Sequence, residues 1–596
     1  MKTRTSQKGL SRREFVRDLA GGVFASYLST FARPLGAQTG VQNDLFWVKS
    51  IPDLPFYGGG QGNYHIGVDA LLNLMGSRGL KFYRSQEQSL LGGPSGLLGP
   101  EDVVLIKVNA QWKYRGATNS DLIRGLIQRI LDHPDVFTGE VVIIENGQGR
   151  GSLNCDNSSA YKGNTEVHAN ANDERQSFLY LVETVFHTPR VSAYQLDPIR
   201  KTFISDDDHH TDGYRAYENV SYPCFATAGG RRVELAKGVW TGSGYNQNLK
   251  LINVPVLKHH DVGGSEITAS LKHFYGLVSM SDGNSPFRHY AGLGETCGKM
   301  MASVATPVLN IVDAIWVSQG ALKGFPSGAV SRTNQILASQ DPVAIDYWAA
   351  KYILYPVDNN PRHRPDFPGI DAWLTQARDT INSRGGLRSI PKGIVVGQVT
   401  KNESEMKTSS LTAKVCTIAG KITEENTLGQ GTSGVVLKGF PQTAATDSQG
   451  RFGVSTVSGW SGEVKPEKAE YSFAPEKRAF SLIASDKTAQ DFVAYKTIYP
   501  PLDLMGRKLL APRLPRGGIQ ILLTWRSNDK NKDRNIAKYR IYQVVGGQRV
   551  TLAELSGLTL RYLHVSFSYD PAQTYSVVAV NGSGREGPAA TVTIKS

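Results

Sequence analysis

The feature that most constrains the fold is a change of sequence pattern near residue 400. Before that point, continuous apolar runs recur with helical segments between them, at residues 103–106, 141–144, 251–257 and 308–312. Such runs are typical of strands that are buried on both faces, and their alternation with helices is typical of parallel sheets. The pattern therefore predicts an α/β domain with a largely parallel sheet over residues 41–400.

One of the intervening segments has a clear helical period. Residues 121–131 repeat apolar side chains at helical spacing, namely Leu122, Ile123, Leu126, Ile127, Ile130 and Leu131. Because this spacing collects the apolar side chains on one face, it predicts an amphipathic helix that packs on the sheet.

The rest of the chain follows a polar linker at residues 401–410 and consists of short β runs broken by Gly, Pro and Asn or Asp turns. This pattern predicts two small all-β sandwich domains, at residues 413–496 and 501–596. The first resembles the carboxypeptidase regulatory-like modules that are common in secreted bacterial proteins. The whole chain is thus predicted to be multidomain, with one α/β domain followed by two β-sandwiches.

The last domain resembles a fibronectin type III domain. Trp525 lies in an early predicted strand, and Tyr575 begins a late one at the position of a tyrosine corner. We expect both side chains to lie in the core of the sandwich rather than to form a platform for a ligand.

The amino terminus resembles a twin-arginine export signal. Arg12 and Arg13 stand in a short polar frame, a weakly apolar run covers residues 19–31, and small residues suited to cleavage end at Ala37. The apolar run is shorter than the roughly 20 residues that a membrane-spanning helix needs. We therefore predict that residues 1–37 are a signal peptide and that the twin-arginine export machinery is a partner. The mature chain would be periplasmic, at the cell surface or extracellular.

Charge and hydropathy exclude two further classes. The formal net charge of +13 is spread over 596 residues without a long Lys/Arg run, so nucleic acid is not an expected partner. Beyond the signal, the sequence has no apolar stretch long enough to span a membrane, so the mature chain is predicted to have no membrane span.

The cysteines argue against an iron–sulfur cluster. Cys155, Cys224, Cys297 and Cys416 stand far apart and form no CxxC pair. In an oxidising compartment, two of the first three cysteines could form a disulfide, and the sequence does not indicate which two.

The polar residues that follow the predicted strands are the ones to inspect for chemistry, because ligands of α/β sheets bind beyond the carboxyl ends of the strands. Lys107 and Asn109 end the first strand, and Lys258, His259 and His260 end the third. Ammonium and imidazole groups together suit a phosphate or carboxylate, a metal ion, or proton transfer. The alternative is a set of ordinary solvated strand-end residues.

A second group of the same residue types follows closely. Thr268 and Lys272 are four residues apart, which places them on one face of a helix, and His273 adds another imidazole. Two Lys/His clusters so close in sequence favour a site.

An acidic cluster offers a different chemistry. Residues 206–212 read DDDHHTD, and carboxylates with imidazoles are ligands for divalent metals. We therefore consider Asp208 and His210, together with His259 and His260, as ligands of a divalent metal ion. A run of like charges is more often a solvated loop, and that alternative stays open.

Two aspartates stand at the start of a predicted helix. Asp341 precedes Pro342, so it is a natural N-cap, and Asp346 lies within the helix where it would face the crevice. The glycine-rich loop at residues 147–151 has the spacing neither of a P-loop nor of a dinucleotide fingerprint, and we expect a plain glycine turn there.

Four of these segments, in order, resemble the family of domains of unknown function called DUF362. They are IKVN at residues 106–109, NVPVLKHH at 253–260, the segment at 268–276, and DPVAID at 341–346. The resemblance implies a fold and a set of candidate ligand positions: Lys107, Asn109, Lys258, His260, Thr268, Lys272, Asp341 and Asp346. It does not imply a reaction.

The chain departs from the family pattern in three ways. Val108 replaces the usual proline, His273 stands where asparagine is usual, and the ferredoxin-like cysteine segment of many members is absent. The last departure removes the redox role that those members suggest.

Two hypotheses of different class follow. In the first, the chain is an exported enzyme or cofactor-holding protein that binds a small anionic ligand, a divalent metal ion, or both, and the β domains tether it to polymer or envelope. The catalytic residues would be Lys258, His260, Lys272 and His273, and the ligand-binding residues Lys107, Asn109, Thr268, Asp341 and Asp346. In the second, it is a non-catalytic carbohydrate-binding or adhesion protein whose partner is a cell-envelope glycan.

Overall fold

The structure is a computed structural model, and it describes residues 43–58, 62–157, 161–260, 266–320, 322–324, 329–387, 397–425, 427–509, 518–567 and 571–595. The predicted signal at residues 1–37 lies outside the described residues. The chain divides into two compact units. Unit 1 comprises residues 1–56 and 61–413, and unit 2 comprises residues 57–60 and 414–596.

The α-helices of the described residues all lie in unit 1. They are α1 (Ile66–Ser77), α2 (Ser120–Leu131), α3 (Phe178–Tyr180), α4 (Ser270–Phe274), α5 (Ser285–His289), α6 (Leu293–Lys299), α7 (Pro342–Ala349), α8 (Tyr355–Asp358) and α9 (Pro368–Ser383). Helix α2 confirms the helix predicted at residues 121–131, and the side chain of Asn119 caps its first turn by accepting the Leu122 N–H at 3.1 Å.

The first nineteen strands run from the start of the described chain to residue 412. They are β1 (Asp44–Lys49), β2 (Phe56–Tyr57), β3 (Tyr64–His65), β4 (Tyr83–Arg84), β5 (Gly92–Gly93), β6 (Val103–Val108), β7 (Glu140–Glu145), β8 (Val191–Gln195), β9 (Gly213–Tyr217), β10 (Val220–Ala226), β11 (Arg232–Glu234), β12 (Gly238–Trp240), β13 (Tyr245–Asn246), β14 (Leu249–Val254), β15 (Val256–His260), β16 (Glu266–Thr268), β17 (Leu309–Ser318), β18 (Ser331–Ser339) and β19 (Lys407–Thr412).

A ten-stranded sheet forms the centre of unit 1, in the order β19-β1-β18-β17-β14-β6-β7-β8, with β15 and β16 extending from β17. The pairings from β17 through β14, β6 and β7 to β8 are parallel, as the apolar runs predict. Strand β18 is antiparallel to both of its neighbours, so the sheet is mixed. The apolar pattern does not reveal the antiparallel direction of β18, because a buried antiparallel strand has the same pattern as a parallel one.

A smaller sheet is inserted between β8 and β14. Strands β9 to β13 follow one another in an antiparallel meander. Apolar side chains of this meander, including Tyr214 and Phe225, join the same core cluster as those of the large sheet. The insertion therefore separates β8 from β14 in sequence while both remain in one domain.

Apart from a short 3-10 helix at Asp529–Asn531, the regular structure of unit 2 within the described residues consists of β-strands. Its strands are β20 (Val415–Glu424), β21 (Val436–Lys438), β22 (Ala444–Ala445), β23 (Arg451–Val457), β24 (Gly462–Glu467), β25 (Tyr471–Ala474), β26 (Arg478–Phe480), β27 (Phe492–Lys496), β28 (Leu502–Leu509), β29 (Ile519–Arg526), β30 (Ile536–Val545), β31 (Gln548–Ser556), β32 (Arg561–Ser566), β33 (Ala572–Asn581) and β34 (Glu586–Lys595).

These strands form two successive pairs of sheets. The sheets β23-β20-β27-β25 and β22-β21-β24-β26 make up the first half of unit 2, and β28-β29-β32 and β31-β30-β33-β34 the second. The second half pairs a sheet of three strands with a sheet of four around one hydrophobic core. Trp525 and Tyr575 both lie in its core, as predicted. The Tyr575 hydroxyl donates to Gln573 Oε1 at 2.6 Å.

The structure also tests the predictions about the cysteines and about membrane-spanning helices. All four cysteines are buried and free, so the disulfide that the sequence allowed among Cys155, Cys224 and Cys297 is not formed. Among the residues that the structure describes, no helix is long and apolar enough to cross a membrane.

Candidate functional site

The central sheet reverses its strand order between β6 and β14. From β6 the chain proceeds through β7 to β8 on one side, and from β14 through β17 to β18 on the other. Ligands of open α/β sheets bind at such a reversal, beyond the carboxyl ends of the strands. Lys107 lies at this end of β6, Glu145 at this end of β7, and Asn253 at this end of β14.

Strand β15 carries two more polar side chains beyond that edge. Pro255 separates β14 from β15, and it shifts the pairing so that β15 continues along β17 with an irregular register. Residues two apart on a strand point to the same side. Lys258 and His260 therefore face the cavity together, and Thr268 on β16 pairs with Lys258.

Helix α4 supplies the opposite wall and is held by Asp346. The two carboxylate oxygens of Asp346 accept the N–H groups of Ser270 and Leu271 at 2.7 and 2.9 Å. These are amides of the first turn, which have no partner within the helix. The contact fixes the helix that carries Lys272 and His273.

A cavity of about 400 Å³ lies between these elements. Its wall contains seven of the residues singled out from the sequence, which are Lys107, Asn109, Lys258, His260, Thr268, Lys272 and His273. The other lining residues are Gln111, Glu145, Gln148, Arg150, Tyr275, Gly276, Met280, Ser285, Pro286, His289, Tyr290 and Leu322.

A buried ion pair forms the floor of the cavity. The Lys107 ammonium donates to Glu145 Oε2, to the Val108 carbonyl at 2.9 Å and to His273 Nε2 at 2.9 Å. Glu145 Oε1 accepts the Ala110 N–H at 3.1 Å. Burial lowers the pKa of Lys107 and raises that of Glu145, while their mutual attraction opposes both shifts. With every ammonium hydrogen engaged, Lys107 is held as a cation.

Hydrogen bonds define the tautomer of His273. Asn253 Nδ2 donates to the Ser270 carbonyl at 3.0 Å, so Asn253 Oδ1 is the acceptor that faces His273 Nδ1 at 2.7 Å. His273 Nδ1 therefore carries the proton, and its Nε2 accepts from Lys107. Burial, followed by the charge of Lys107, lowers the pKa of His273 well below its usual value, which agrees with a neutral ring.

Lys258 has fewer hydrogen-bond partners than Lys107 among the described residues. Its ammonium donates to the Gly116 carbonyl at 2.6 Å, and no carboxylate among the described residues lies within 4 Å of it. Burial lowers the pKa of Lys258 to about 7. The attraction of Glu145 opposes this shift, and the charges of Lys107 and Lys272 add to it.

Lys272 and two neutral histidines complete this side of the cavity. Lys272 Nζ lies 3.2 Å from His289 Nε2, and burial lowers the pKa of Lys272 to about 8. Burial, then the charges of Lys272 and Arg150, lowers the pKa of His289 to about 4. In the described part of the chain, neither ring nitrogen of His260 has a hydrogen-bond partner. Burial also lowers the pKa of His260 well below its usual value.

His259 lies outside the cavity. It occupies the opposite face of β15, where its Nδ1 lies 2.8 Å from His363 Nε2. His363 Nδ1 in turn lies 3.1 Å from Asp358 Oδ1. Strand alternation thus separates His259 from His260, and the two are not placed as ligands of one ion.

The acidic cluster is also remote from the cavity. Asp208 Oδ1 accepts the N–H groups of His210 and Thr211 at 2.9 Å, which closes a turn of the kind that aspartates favour. His210 is exposed, whereas the neighbouring His209 stacks on Trp240 with ring centroids 3.9 Å apart. Among the residues that the structure describes, no group of three His, Cys, Asp or Glu side chains is placed to hold a metal ion.

The two aspartates of the DPVAID segment accept hydrogen bonds from backbone N–H groups. Asp341 caps α7 by accepting the Val343 and Ala344 N–H groups, and its second oxygen accepts the Thr400 N–H at 2.9 Å. Asp346 is the cap of α4. Burial raises the pKa of Asp341 to about 7 and of Asp346 to about 8. Neither side chain lines the cavity.

The glycine loop at residues 147–151 also has an internal partner. Asp197 accepts the Gly147 and Gly149 N–H groups, both at 2.6 Å. A carboxylate of the chain itself thus occupies the amides that would cradle an external anion, in agreement with a plain turn.

Several lining residues were absent from the candidate set. Glu145 ends a predicted strand, so its position was a usable signal. Asn253 does not line the cavity, but it orients His273, and its signal was a polar residue within an apolar run. His289 and Arg150 come from a short helix and a turn with no distinctive pattern. Their approach to Lys272 depends on tertiary structure alone.

Taken together, unit 1 is an α/β domain with a cation-rich cavity at the strand-order reversal of a mixed sheet. Residues 224–351 match the family model described as "Domain of unknown function (DUF362)". The matched segment contains Lys258, His260, Thr268, Lys272 and His273, while Lys107, Asn109 and Glu145 precede it. A comparison with curated proteins finds no match.

Similar solved structures cover small parts of the chain. "Structure of FN3tt mut" is 20% identical over 16% of this chain and 92% of that chain, with a TM-score of 0.13. The third fibronectin III domain of a human protein is 16% identical over 17% of this chain and 82% of that one, with a TM-score of 0.14. A family 28 exopolygalacturonase from Yersinia enterocolitica is 14% identical over 16% of this chain, with a TM-score of 0.13. This chain spans 20% of the length of that enzyme.

Proposed function

We propose that the protein is exported by the twin-arginine route and binds a small anionic molecule, a carboxylate or phosphate, in the cavity of unit 1. The observation that carries the proposal is the pair Lys258 and Lys272. Both line one cavity at the strand-order reversal, and neither has a carboxylate within 4 Å among the described residues. A bound anion would supply the missing countercharge through charge-assisted hydrogen bonds.

Lys107 has a different part in this proposal. Its charge is already matched by Glu145, so it contributes to the field of the cavity rather than to a direct contact. The exposed Arg150 and the Asn109 amide complete the donors on the wall. This donor set would orient an anionic head group and leave the rest of the ligand among Tyr275, Met280 and Tyr290.

Thermal unfolding with a panel of anions tests the proposal. Phosphate, sulfate, acetate and succinate are added to the exported protein, and at about 100 times Kd a bound anion raises the free energy of unfolding by about 2.7 kcal/mol. Lys258→Met and Lys272→Met should each weaken the affinity about 10-fold to 100-fold, since a hydrogen bond to a charged group contributes about 1.5–3 kcal/mol.

Lys250→Met is the matched control. Lys250 is as buried as the site lysines but lies near the other end of β14, where its ammonium donates to the Gln247 carbonyl at 2.7 Å. Its loss should leave the anion response unchanged. The proposal fails if no anion stabilises the protein, or if Lys250→Met removes the response as fully as the site variants do.

A divalent metal ion stays a prediction of the sequence. His260 is the residue through which to test it, because both of its ring nitrogens are without a partner in the described part of the chain. Elemental analysis of the protein purified after export would support a metal if a stoichiometric ion is lost in His260→Ala.

The second candidate function is attachment to an acidic glycan through unit 2. A groove of about 760 Å³ is lined by three lysines (Lys438, Lys465 and Lys468), two glutamates (Glu467 and Glu476) and the rings of Tyr471 and Phe473, so that cations outnumber carboxylates by one. The two rings are stacked with centroids 6.4 Å apart. Aromatic faces beside lysines suit a sugar ring that carries a carboxylate.

A glycan array tests this second function. Phe473→Ala should lose binding to acidic glycans, whereas Phe567→Ala should keep it, because Phe567 is exposed elsewhere in the same unit. Equal binding by both variants would contradict attachment through this groove.

A further inference from the structure

The three lysines of the cavity are not equivalent. All three N–H bonds of Lys107 have acceptors, including the Glu145 carboxylate, so Lys107 remains an ammonium ion. Lys272 lies against His289. Among the residues that the structure describes, Lys258 has a single acceptor, the Gly116 carbonyl, and its side chain lines the cavity.

The surroundings of Lys258 make its ammonium proton easier to lose than that of Lys107. The side chain is 2% exposed, and two further cations, Lys107 and Lys272, line the same cavity. Burial beside other cations disfavours a charged amine, and it is the usual way in which proteins activate lysine as a nucleophile.

We propose that Lys258 is a nucleophile that forms an imine with a small carbonyl compound bearing an anionic group. The inference rests on the proposed anion binding, because Lys272 and Arg150 would hold the anionic group while Lys258 reaches the carbonyl carbon. The cavity, at about 400 Å³, suits a small molecule of this class.

The step is a condensation without oxidation or reduction. The lone pair of Lys258 Nζ attacks the carbonyl carbon, a C–N bond forms, and the π electrons of the carbonyl move to its oxygen. The nitrogen then loses both of its protons, the C–O bond breaks, and the oxygen leaves as water. The product is a neutral imine.

His260 is placed to move these protons. It lies two residues from Lys258 on the same face of β15, and its neutral ring has one nitrogen that accepts a proton and one that donates. Neither nitrogen is engaged by another described residue. The ring would take a proton from the Lys258 nitrogen and deliver one to the departing oxygen.

Reductive trapping tests the proposal on the full exported chain. The protein is incubated at pH 7 with sodium cyanoborohydride and either pyruvate or glyceraldehyde 3-phosphate, and the modified lysine is located by peptide mass mapping. We expect a single reduced adduct, on Lys258, and inorganic phosphate should slow its formation. The faster of the two compounds identifies the anionic group as a carboxylate or a phosphate.

Variants and a neutral probe sharpen the result. Hydroxyacetone, which lacks the anionic group, should label Lys258 about tenfold more slowly, since it forgoes a charge-assisted hydrogen bond. Lys258→Met should give no adduct in the cavity, Lys272→Met should slow labelling, and Lys250→Met should label like the native chain. Because the native chain itself is mapped, the test does not depend on the folding of any variant.

The outcomes separate this inference from the proposed function. If anions stabilise the protein but neither compound labels Lys258, the imine is wrong and anion binding stands. If no anion stabilises the protein and Lys258 is unlabelled, both are wrong. Labelling spread over surface lysines with Lys258 unmodified also overturns the inference.

Discussion

At the scale of single residues, the titratable groups of the cavity differ in how many hydrogen-bond partners each has. Lys107 is saturated by Glu145, the Val108 carbonyl and His273, whereas Lys258 and Lys272 keep donors for a ligand. The histidines are neutral because burial and the nearby lysines disfavour a further positive charge. The site therefore offers cations whose charge depends on pH in the neutral range.

This difference predicts how affinity changes with pH. Lys258 and Lys272 have pKa values lowered to about 7 and about 8, so both are charged below pH 7 and both become neutral as the pH rises to about 9. Affinity for sulfate, whose own charge is constant in this range, should fall with rising pH, by up to about tenfold per pH unit for each lysine that deprotonates.

Calorimetric titration with sulfate from pH 6 to pH 10 measures this slope. Binding near pH 8 should take up protons, because a bound anion raises the pKa of both lysines. Lys258→Met should remove the part of the slope that begins near pH 7. An affinity that rises with pH would contradict the charge assignment.

At the scale of elements, strand β15 presents adjacent histidines to different surroundings. The sequence marks His259 and His260 as equals, but the alternation of the strand sends His260 to the cavity and His259 to His363. Knowledge of the strand alone does not tell which face meets the cavity, so the sequence treats them as one group.

The two histidines should therefore give opposite phenotypes. His259→Ala should lower the free energy of unfolding by about 0.5–1.5 kcal/mol through a lost hydrogen bond and leave imine trapping intact. His260→Ala should slow trapping with little loss of stability. Chemical denaturation and the trapping rate measure the pair, and equal effects on both readouts would contradict the assignment.

Helix α4 depends on Asp346 in a similar way. Asp346→Ala should lower the free energy of unfolding by about 1–2 kcal/mol, since two amides of the first turn lose their acceptor. It should also weaken anion affinity, because Lys272 is on this helix.

Asp341→Ala is the control for this change. It removes a cap of the same kind from α7 and should cost a similar free energy, while anion affinity should fall less than in Asp346→Ala, because the first-turn amides of α4 keep their acceptor. Calorimetry and denaturation of the two variants measure the difference. If Asp341→Ala weakened anion binding as much as Asp346→Ala, Asp346 would not be the residue that positions α4 and its Lys272.

Prediction from sequence succeeded where the signal was local. The apolar runs located β6, β7, β14 and β17, and the polar residues after them include Lys107 and Lys258 on the cavity wall. The sequence predicted Asp341 as the N-cap of α7, which the structure confirms, but it could not separate capping from ligand binding for Asp341 and Asp346, because both roles use a carboxylate near the start of a helix. Prediction failed for Glu145 and His289, whose partners are distant in sequence.

At the scale of the whole molecule, unit 2 has its own cores. Trp525, Tyr575 and their neighbours form a separate hydrophobic cluster within it. We therefore predict that residues 414–596 fold without unit 1 and unfold cooperatively on heating. Circular dichroism of this fragment measures the outcome, and a broad transition without a baseline would contradict it.

The central claim is that the cavity of unit 1 binds an anion between Lys258 and Lys272. The most direct measurement is anomalous diffraction from crystals of the protein soaked in selenate. The account predicts an anomalous peak within hydrogen-bonding distance of the two ammonium groups, and no such peak in Lys258→Met/Lys272→Met. Ordered selenate elsewhere on the protein, with none in the cavity, would contradict it.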